Sequence, residues 1–231
     1  MKTLVLITAR GGSKGIPNKN IKPLNGRPLL HYSIDVALQI FNKEDICVST
    51  DSEAIKIVAE QKGLSVPFIR PAELAADNSG SNEVILHAIA FYEQAGKHYD
   101  ALLLLQPTSP FRKKNHIEAA LGMYNADTEM ITGVTETEAN PYNILYEEDT
   151  AGLLQKSKTG NFTRRQDCPT VWQMNGAIYL INIKALKEKG SIGLLQKQKL
   201  VMDKISSLDI DTELDWMFAE FVLERIAHHT L

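Results

Sequence analysis

The sequence predicts an α/β fold of three layers, in which helices cover both faces of a mostly parallel β-sheet. Over the first ~135 residues, short apolar runs alternate with longer segments whose apolar residues recur at helical spacing. Such alternation implies right-handed βαβ crossovers, which set parallel strands side by side. A chain of 231 residues with 44% hydrophobic residues can bury such a core without dividing. We therefore expect one domain over residues 1–231.

The individual elements follow from local patterns. The apolar run at residues 3–8 ends in a glycine-rich loop and is typical of a buried parallel strand. Pro28 stands at a tolerated helix start, and Asp51 or Ser52 can cap the second helix. The predicted strands are residues 3–8, 46–49, 66–69, 101–105, 130–135, 177–183 and 204–210. The predicted helices are residues 28–41, a segment running through residue 58, residues 83–94, 116–124 and 212 to about 226.

Residues 137–174 break this rhythm. Two short segments, residues 142–145 and 153–156, flank an acidic turn that contains glycine, which predicts a β-hairpin. The basic pair Arg164 and Arg165 follows it. We interpret the stretch as a small protruding arm rather than a separate domain.

Charge and cysteine content narrow the class of protein. Lys and Arg total 25 against 28 Asp and Glu, so a formal net charge of −3 offers no general attraction for nucleic acid or an anionic membrane. Cys47 and Cys168 have neither metal-ligand spacing nor a disulfide framework, which suits a reducing cytoplasm. No stretch approaches the ~18 apolar residues of a membrane span. We expect a soluble, cytosolic protein.

The loop after the first strand has the composition of a phosphate-binding site. Three glycines let backbone N–H groups approach phosphate oxygens, and Arg10, Lys14 and Lys19 can neutralise the remaining charge. The spacing matches neither the Walker P-loop nor the dinucleotide G-x-G-x-x-G motif. A flexible basic loop without a ligand is the alternative interpretation.

Asp209 and Asp211 form a candidate metal site. Residues two apart in an extended chain project to the same face, so both carboxylates can point to one place. Mg²⁺ is commonly held by one or two carboxylates and completes its shell with water and substrate phosphate. The alternative makes Asp211 a helix cap. The phosphate loop favours the metal, because a triphosphate site needs a cation.

Other polar turns give weaker signals. Gln106, Thr108 and Ser109 follow the central strand and could read a base or a sugar, although a stiff proline turn explains them equally well. Arg70 stands before a loop that could simply cap a helix. Asn175 precedes a strand and could bind hydroxyl groups, or could only form the turn.

Together these segments resemble the acylneuraminate cytidylyltransferase family, the CMP-sialic acid synthetases. The likeness covers the whole chain and rests on five ordered motifs. These are residues 9–21 (ARGGSKGIPNKNI), 70–74 (RPAEL), 104–110 (LLQPTSP), 175–179 (NGAIY) and 209–215 (DIDTELD). The resemblance implies a Rossmann-like sheet of the nucleotidyltransferase type, whose protruding arm serves dimerisation.

The resemblance also implies roles for individual residues. CTP would lie across the N-terminal loop, and the acceptor sugar would lie beside the central strand. Asp209 and Asp211 would hold Mg²⁺, with Mn²⁺ as an alternative, and would act in catalysis with Arg10 and Lys19. The implied nucleotide-binding residues are Arg10, Gly11, Gly12, Ser13, Lys14, Lys19, Asn20, Arg70 and Ser81. The implied sugar-binding residues are Gln106, Arg165, Asn175 and Tyr179, with Arg165 reaching the neighbour's site in a homodimer.

The implied reaction is attack of a sugar's anomeric hydroxyl on the α-phosphorus of CTP, with loss of pyrophosphate. One departure concerns the acceptor, since Gln173 and Met174 stand where some bacterial members carry a basic residue. A deaminated, legionaminic or pseudaminic acid is therefore an alternative to N-acylneuraminate. The 3-deoxy-octulosonate cytidylyltransferases are less similar in the N-terminal motif.

Two further readings stay open at this level. One is a nucleotide- or sugar-binding module that has lost turnover, against which the carboxylate pair and basic loop argue. The other is a sugar-1-phosphate nucleotidyltransferase, whose acceptor would be a phosphate and whose nucleotide preference would differ.

Overall fold

A computed structural model of the chain describes residues 1–13, 15–75 and 80–227. Its centre is a six-stranded sheet in the order β10-β6-β9-β5-β1-β4. Two short antiparallel ladders, β2 with β3 and β7 with β8, lie outside this sheet. The strands are β1 Thr3–Thr8, β2 Pro23–Leu24, β3 Arg27–Pro28, β4 Ile46–Ser49, β5 Ala101–Leu105, β6 Met130–Glu136, β7 Tyr146–Glu148, β8 Leu154–Lys156, β9 Trp172–Asn182 and β10 Lys197–Val201. The α-helices are α1 Leu29–Leu38, α2 Glu53–Glu60, α3 Ser81–Gln94, α4 Lys114–Met123, α5 Ile183–Lys189 and α6 Glu213–Ala227.

The predicted three-layer, mostly parallel α/β fold is confirmed. Strands β1, β4, β5, β6 and β10 run in one direction, and β9 alone runs against its neighbours β5 and β6. Alternate residues of the strands face opposite layers, as the period of two requires. Val5 packs on the face covered by α1, α2 and α4, whereas Leu6 packs on the face covered by α3 and α5.

Three predicted strands reproduce the structure residue for residue. Residues 3–8, 46–49 and 101–105 are β1, β4 and β5, and nearly all their side chains are buried. Continuous apolar runs of this kind are the pattern of strands covered on both faces. The helices predicted from periodicity are also present, with ends shifted by up to three residues.

Two predicted strands are wrong. Residues 66–69 contribute only a single bridge, between Thr50 and Ile69. Residues 204–210 form turns and an extended segment outside the sheet, because Ile205, Leu208 and Ile210 pack against α6 instead. The strand at the outer edge of the sheet beside β6 is β10, which the apolar pattern did not predict because four of its five residues are exposed.

The arm contains the predicted hairpin with a shifted first strand. Its first strand is Tyr146–Glu148 rather than residues 142–145, where the chain forms a turn around Asn140. The predicted strand at residues 177–183 is part of the longer antiparallel strand β9, which leads from the arm into the sheet centre. Within the described residues, no helix is long and apolar enough to cross a membrane.

Candidate active site

A cavity of about 620 Å³ opens at the edge of the sheet where β1 and β5 end. In parallel sheets ligands bind beyond the carboxyl ends of the strands, so its location is the expected one. Nine residues predicted from the sequence line it, namely Arg10, Ser13, Lys19, Asn20, Arg70, Ser81, Gln106, Asp209 and Asp211. Segments separated by up to about 200 residues of chain therefore meet at one place.

Of the glycines in the N-terminal loop, Gly15 lines the cavity, whereas Gly11 and Gly12 lie outside its lining. The Gly11 N–H donates to Asp51 Oδ1 at 2.9 Å, and a Cβ at position 11 would lie 3.1 Å from Cβ of Ser52. Gly12 has open space around it. Lys14 lies outside the described residues, so the structure leaves that prediction as it stands. Asn20 is buried and donates from Nδ2 to the Arg10 carbonyl at 2.9 Å, which holds the loop closed on itself.

The loop is fastened to the segment that carries the two aspartates. Lys19 Nζ donates to the Ile210 carbonyl at 2.7 Å and pairs with Asp211 Oδ1 at 3.0 Å. A Cβ at position 15 would collide with the Asp211 carbonyl oxygen, so only glycine allows the two backbones to approach this closely. The Lys19 side chain is only 11% exposed, which directs its charge to this contact and to the cavity.

Asp209 is the more buried carboxylate of the pair. Its Oδ1 is buried without a hydrogen-bond partner. Burial raises the pKa of Asp209, a hydrogen bond from Thr108 opposes the rise, and the nearby charge of Asp211 adds to it. Asp209 and Asp211 do not follow a strand, contrary to the prediction. The backbone between them is held instead by the Ile210 N–H, which donates to the Thr108 carbonyl at 2.9 Å.

The aspartates suit a hard divalent cation. One buried oxygen without a partner and a second carboxylate on the same cavity wall match the carboxylate oxygens that Mg²⁺ takes from proteins. The described residues contain no group of three or more acidic, histidine or cysteine side chains that could hold a metal. The remaining ligands would therefore be water and substrate oxygens, as is usual for Mg²⁺ bound with phosphates.

Arg70 adds a further cation to the lining of the cavity. Arg70 is 5% exposed, and its Nε and one Nη are buried without hydrogen-bond partners. Burial lowers the pKa of Arg70, attraction to Asp51 opposes this, and Arg10 nearby lowers it further. Ser81 begins α3 beside Arg70, and the N-cap residue Gly80 provides no side-chain cap. The start of a helix and a buried guanidinium both favour an anionic or oxygen-rich ligand.

Gln106 occupies the cavity floor after β5. Its side-chain Oε1 lies 2.6 Å from the place a Cβ would take at position 176, where Gly176 has a φ of +72°. Gly176 belongs to an irregular part of β9, where the pairing with β6 shifts between Thr132 and Val134. The bulge therefore makes room for Gln106, which explains the glycine of the motif at residues 175–179.

Three residues predicted to bind sugar lie outside the lining of this cavity. Asn175 is buried and uses its amide within the fold, donating from Nδ2 to Ser207 Oγ at 2.9 Å and accepting from the Ala177 N–H at 3.1 Å. Tyr179 lies in the ladder of β9 near Asp209, where burial and then that negative charge raise the pKa of its phenol. Arg165 lies on the arm, 3.7 Å from Glu138. Their sugar contacts stay predictions.

Sequence reasoning assigned no site role to two residues that the structure makes central. Asp51 was one of two possible helix caps, with Ser52, but its carboxylate accepts from the Gly11 N–H and lies 3.6 Å from Arg70 Nη2 through Oδ1. Arg112 is 4% exposed, and its hydrogen bonds link the end of β5 to β9 and to α1. Burial lowers the pKa of Arg112 to about 9. An Asp after a strand and an Arg after the proline turn are local signals too common to identify such roles.

Comparison with known proteins finds similar chains over nearly the whole length. Residues 4–214 match a family model described as cytidylyltransferase. The chain is 34% identical over 225 residues to the CMP-N,N'-diacetyllegionaminic acid synthase of Legionella pneumophila, covering 97% of each chain. It is 36% identical to the N-acylneuraminate cytidylyltransferase of Escherichia coli O18:K1:H7, covering 97% of this chain and 52% of that one.

Among solved structures, the fold is similar to that of a CMP:2-keto-3-deoxy-manno-octonic acid synthetase complexed with CTP. The TM-score is 0.71, the identity is 16%, and the match covers 97% of this chain and 99% of that one. At this identity the likeness shows the fold alone.

Proposed function

The chain belongs to the cytidylyltransferase family, and from that membership we propose that it transfers CMP from CTP to the anomeric hydroxyl of a sialic-acid-like nine-carbon α-keto acid. The observation that carries the proposal is one cavity lined by Arg10 and Lys19 of the N-terminal loop, by Asp209 and Asp211, and by Gln106, with Lys19 paired to Asp211. A pure nucleotide binder has no need for a carboxylate pair at the position of the phosphates. The products would be the CMP-sugar and pyrophosphate.

The proposed positions of the substrates follow the charges. The triphosphate lies along Arg10, Ser13 and Lys19, and Lys14 belongs to the same loop. The nucleoside lies towards Asn20, Arg70 and Ser81, where the start of α3 and the buried guanidinium meet. The acceptor lies over Gln106, with Tyr179 behind Asp209, and Asn175 keeps the backbone beneath it in place.

The proposed chemistry is an in-line displacement. The anomeric oxygen forms a bond to the α-phosphorus, the bond from that phosphorus to the β-phosphate oxygen breaks, and pyrophosphate leaves with the electron pair. The hydroxyl proton passes to water. Arg10 and Lys19 would stabilise the charge that develops on the phosphate oxygens, and the walls of the cavity would hold the reactants in line. When bound at Asp209 and Asp211, Mg²⁺ would supply further positive charge at the α-phosphate and make a coordinated hydroxyl more acidic.

The acceptor is proposed as a class. The relatives in Legionella pneumophila and Escherichia coli are named for a legionaminic acid and for N-acylneuraminate. Gln173 and Met174, which precede the Asn175 motif, lack the basic residue seen in some bacterial members. We therefore propose N-acylneuraminate first and a deaminated, legionaminic or pseudaminic acid as the alternative.

We further propose that the protein works as a homodimer in the cytoplasm. The arm carries exposed apolar side chains that support an interface with a second copy, and Arg165 lies on the same arm. Cys47 and Cys168 are free thiols, in keeping with a reducing compartment.

A pyrophosphate-release assay tests the proposal. The protein is incubated with CTP, Mg²⁺ and each acid of a panel, and the CMP-sugar is identified by mass spectrometry. We expect pyrophosphate only with a nine-carbon acid, and much less when UTP replaces CTP or when EDTA removes the metal. Binding of CTP without pyrophosphate from any acid would support a binding module, and preference for UTP with a sugar 1-phosphate would contradict the choice of reaction.

A further inference from the structure

Arg112 is a buried guanidinium that donates its hydrogen bonds to neutral acceptors. It follows the proline turn after β5, and only 4% of its surface is exposed. Within the described part of the chain, no acidic side chain forms an ion pair with it. Placing an unpaired charge in a protein interior is costly unless its hydrogen bonds are fully used. A residue kept under that cost has a specific geometric task.

The hydrogen bonds of Arg112 define that task. Its Nε donates to the Ala177 carbonyl, its Nη1 donates to Ser33 Oγ at 3.1 Å, and its Nη2 donates to the Gln106 carbonyl at 2.6 Å. Ser33 Oγ in turn donates to the same Gln106 carbonyl at 3.2 Å. The planar guanidinium therefore fixes the end of β5, the bulge of β9 and α1 relative to one another.

Two of these acceptors stand directly beside the cavity floor. Gln106 carries the side chain that reaches the cavity, and Ala177 follows Gly176, whose hypothetical Cβ would meet Gln106 Oε1 at 2.6 Å and Asp209 Oδ2 at 3.7 Å. A side chain at position 176 would not fit beside Gln106, so the glycine lets the bulge of β9 approach the Gln106 side chain closely. A shift of either backbone would change the space between Gln106 and the bulge.

We infer that Arg112 is a positioning residue for the acceptor half of the site, an inference that rests on the proposed function. It acts through the Gln106 and Ala177 carbonyls and touches neither substrate. It sets the width of the floor between Gln106 and the β9 bulge. Among the described residues, the nucleotide half, built from the N-terminal loop, Arg70 and α3, receives no hydrogen bond from Arg112.

Three variants separate positioning from general stability. Arg112→Met removes all three donors at similar length, Arg112→Lys keeps the charge but loses the planar fork, and Ser33→Ala removes one acceptor and leaves the guanidinium. Leu186→Ala, in the core beneath α5 and away from the cavity, is the control for lost stability. For each we would measure the melting temperature, the Kd for CTP with Mg²⁺ by calorimetry, and kcat and KM for the acceptor.

Arg112→Met is expected to lower kcat/KM for the acceptor by about 10²-fold, the cost of roughly a 1 Å misplacement, with the Kd for CTP changed less than about 3-fold. Arg112→Lys should recover part of the loss, and Ser33→Ala should lose about 3-fold to 10-fold in the same direction. If Arg112→Met does not fold, the other two variants decide the matter.

Equal losses in CTP binding and acceptor turnover, or kinetics that follow the melting temperature as in Leu186→Ala, would overturn the inference. Failure of the wild-type protein with every acid would instead reject the proposed function, so the two failures are distinguishable.

Discussion

The cavity and the arm differ in which kinds of side chain are buried and which are exposed. At the cavity, charged groups are buried and held by contacts within the chain, as with Lys19, Arg70 and Arg112. In the arm, every residue of β7 and β8 is exposed, and the apolar residues Ile144, Leu145, Tyr146, Leu153 and Leu154 are 41–67% exposed. Exposed apolar clusters mark interaction surfaces. The comparison shows that the described cavity residues are held by contacts within the chain, whereas the arm leaves apolar side chains exposed, which supports the proposed interface with a second copy.

The strongest test of the cavity is Asp209→Asn, a change that keeps shape and removes charge. We expect kcat/KM to fall by about 10³-fold, since the variant loses a proposed metal ligand worth several kcal/mol of charge stabilisation. Asp211→Ala should also remove most turnover while sparing the fold. Pyrophosphate release measures both, and near-normal rates would remove the metal assignment.

The same Asp209→Asn variant should be more stable than the wild type in EDTA at pH 7. Folding raises the pKa of Asp209 above its ordinary value of 3.8. At a pH above the raised pKa, the charged carboxylate therefore lowers the free energy of unfolding, and this destabilisation disappears as the pH falls towards 3.8. Asp203→Asn is the matched control, and we expect it to be less stable than the wild type at pH 7. Burial raises the pKa of Asp203, but the hydrogen bonds from Ser206 outweigh burial and lower it. Urea unfolding at pH 7 and pH 4 measures the difference, and a less stable Asp209→Asn protein would contradict the argument.

Lys19→Met should have the next largest effect. We expect turnover to fall about 10²-fold through loss of phosphate charge stabilisation. Without CTP, the variant should bind Mn²⁺ more tightly than the wild type, because Asp211 no longer pairs with Lys19 Nζ. The signal of free Mn²⁺ in electron paramagnetic resonance measures this binding. Lys22→Met, which breaks a pair with Glu213 outside the cavity lining, should leave both quantities nearly unchanged.

The smallest expected effect concerns the arm. Arg165→Ala should lower turnover about 10-fold, as loss of one charge-assisted contact. The Arg165→Ala protein is then dissociated, mixed with an equal amount of Asp209→Ala protein and allowed to reassociate. The mixture should regain about a quarter of wild-type activity, because half of the dimers of a two-fold assembly are heterodimers and each of these carries one intact site out of two.

If the mixture instead shows only the arithmetic mean of the two separate activities, about one-twentieth of the wild type, Arg165 does not serve a partner's site. Arg164→Ala is the matched control, since Arg164 pairs with Asp167 within the arm at 2.8 Å.

Local sequence pattern predicted the parts of the fold that depend on local pattern. Residues 101–105 carry an unbroken apolar run, and such a run fits only a strand covered on both faces. Residues 204–210 misled the interpretation because their apolar side chains pack against α6 and not into the sheet. The reversed direction of β9 left no local signal, since an apolar strand has the same pattern in either direction.

The site was predictable where charge or glycine marked it. Arg10, Lys19 and the two aspartates were identified as chemical types, and they line one cavity. The sequence alone could not explain why residues 15 and 176 are glycines, because the groups that exclude a side chain there come from distant parts of the chain. The same holds for Arg112, whose partners come from α1 and β9.

The ion pair between Lys19 and Asp211 joins positions 192 residues apart. During synthesis the N-terminal loop emerges early, and its counterpart follows only after the sheet and the arm have been made. A chain still on the ribosome, or cut before residue 209, therefore possesses the basic loop but no carboxylates to face it. Such long-range closure is slow compared with the formation of local helices. Catalytic competence thus becomes a late event of folding, and turnover would report that the chain has reached its native end state.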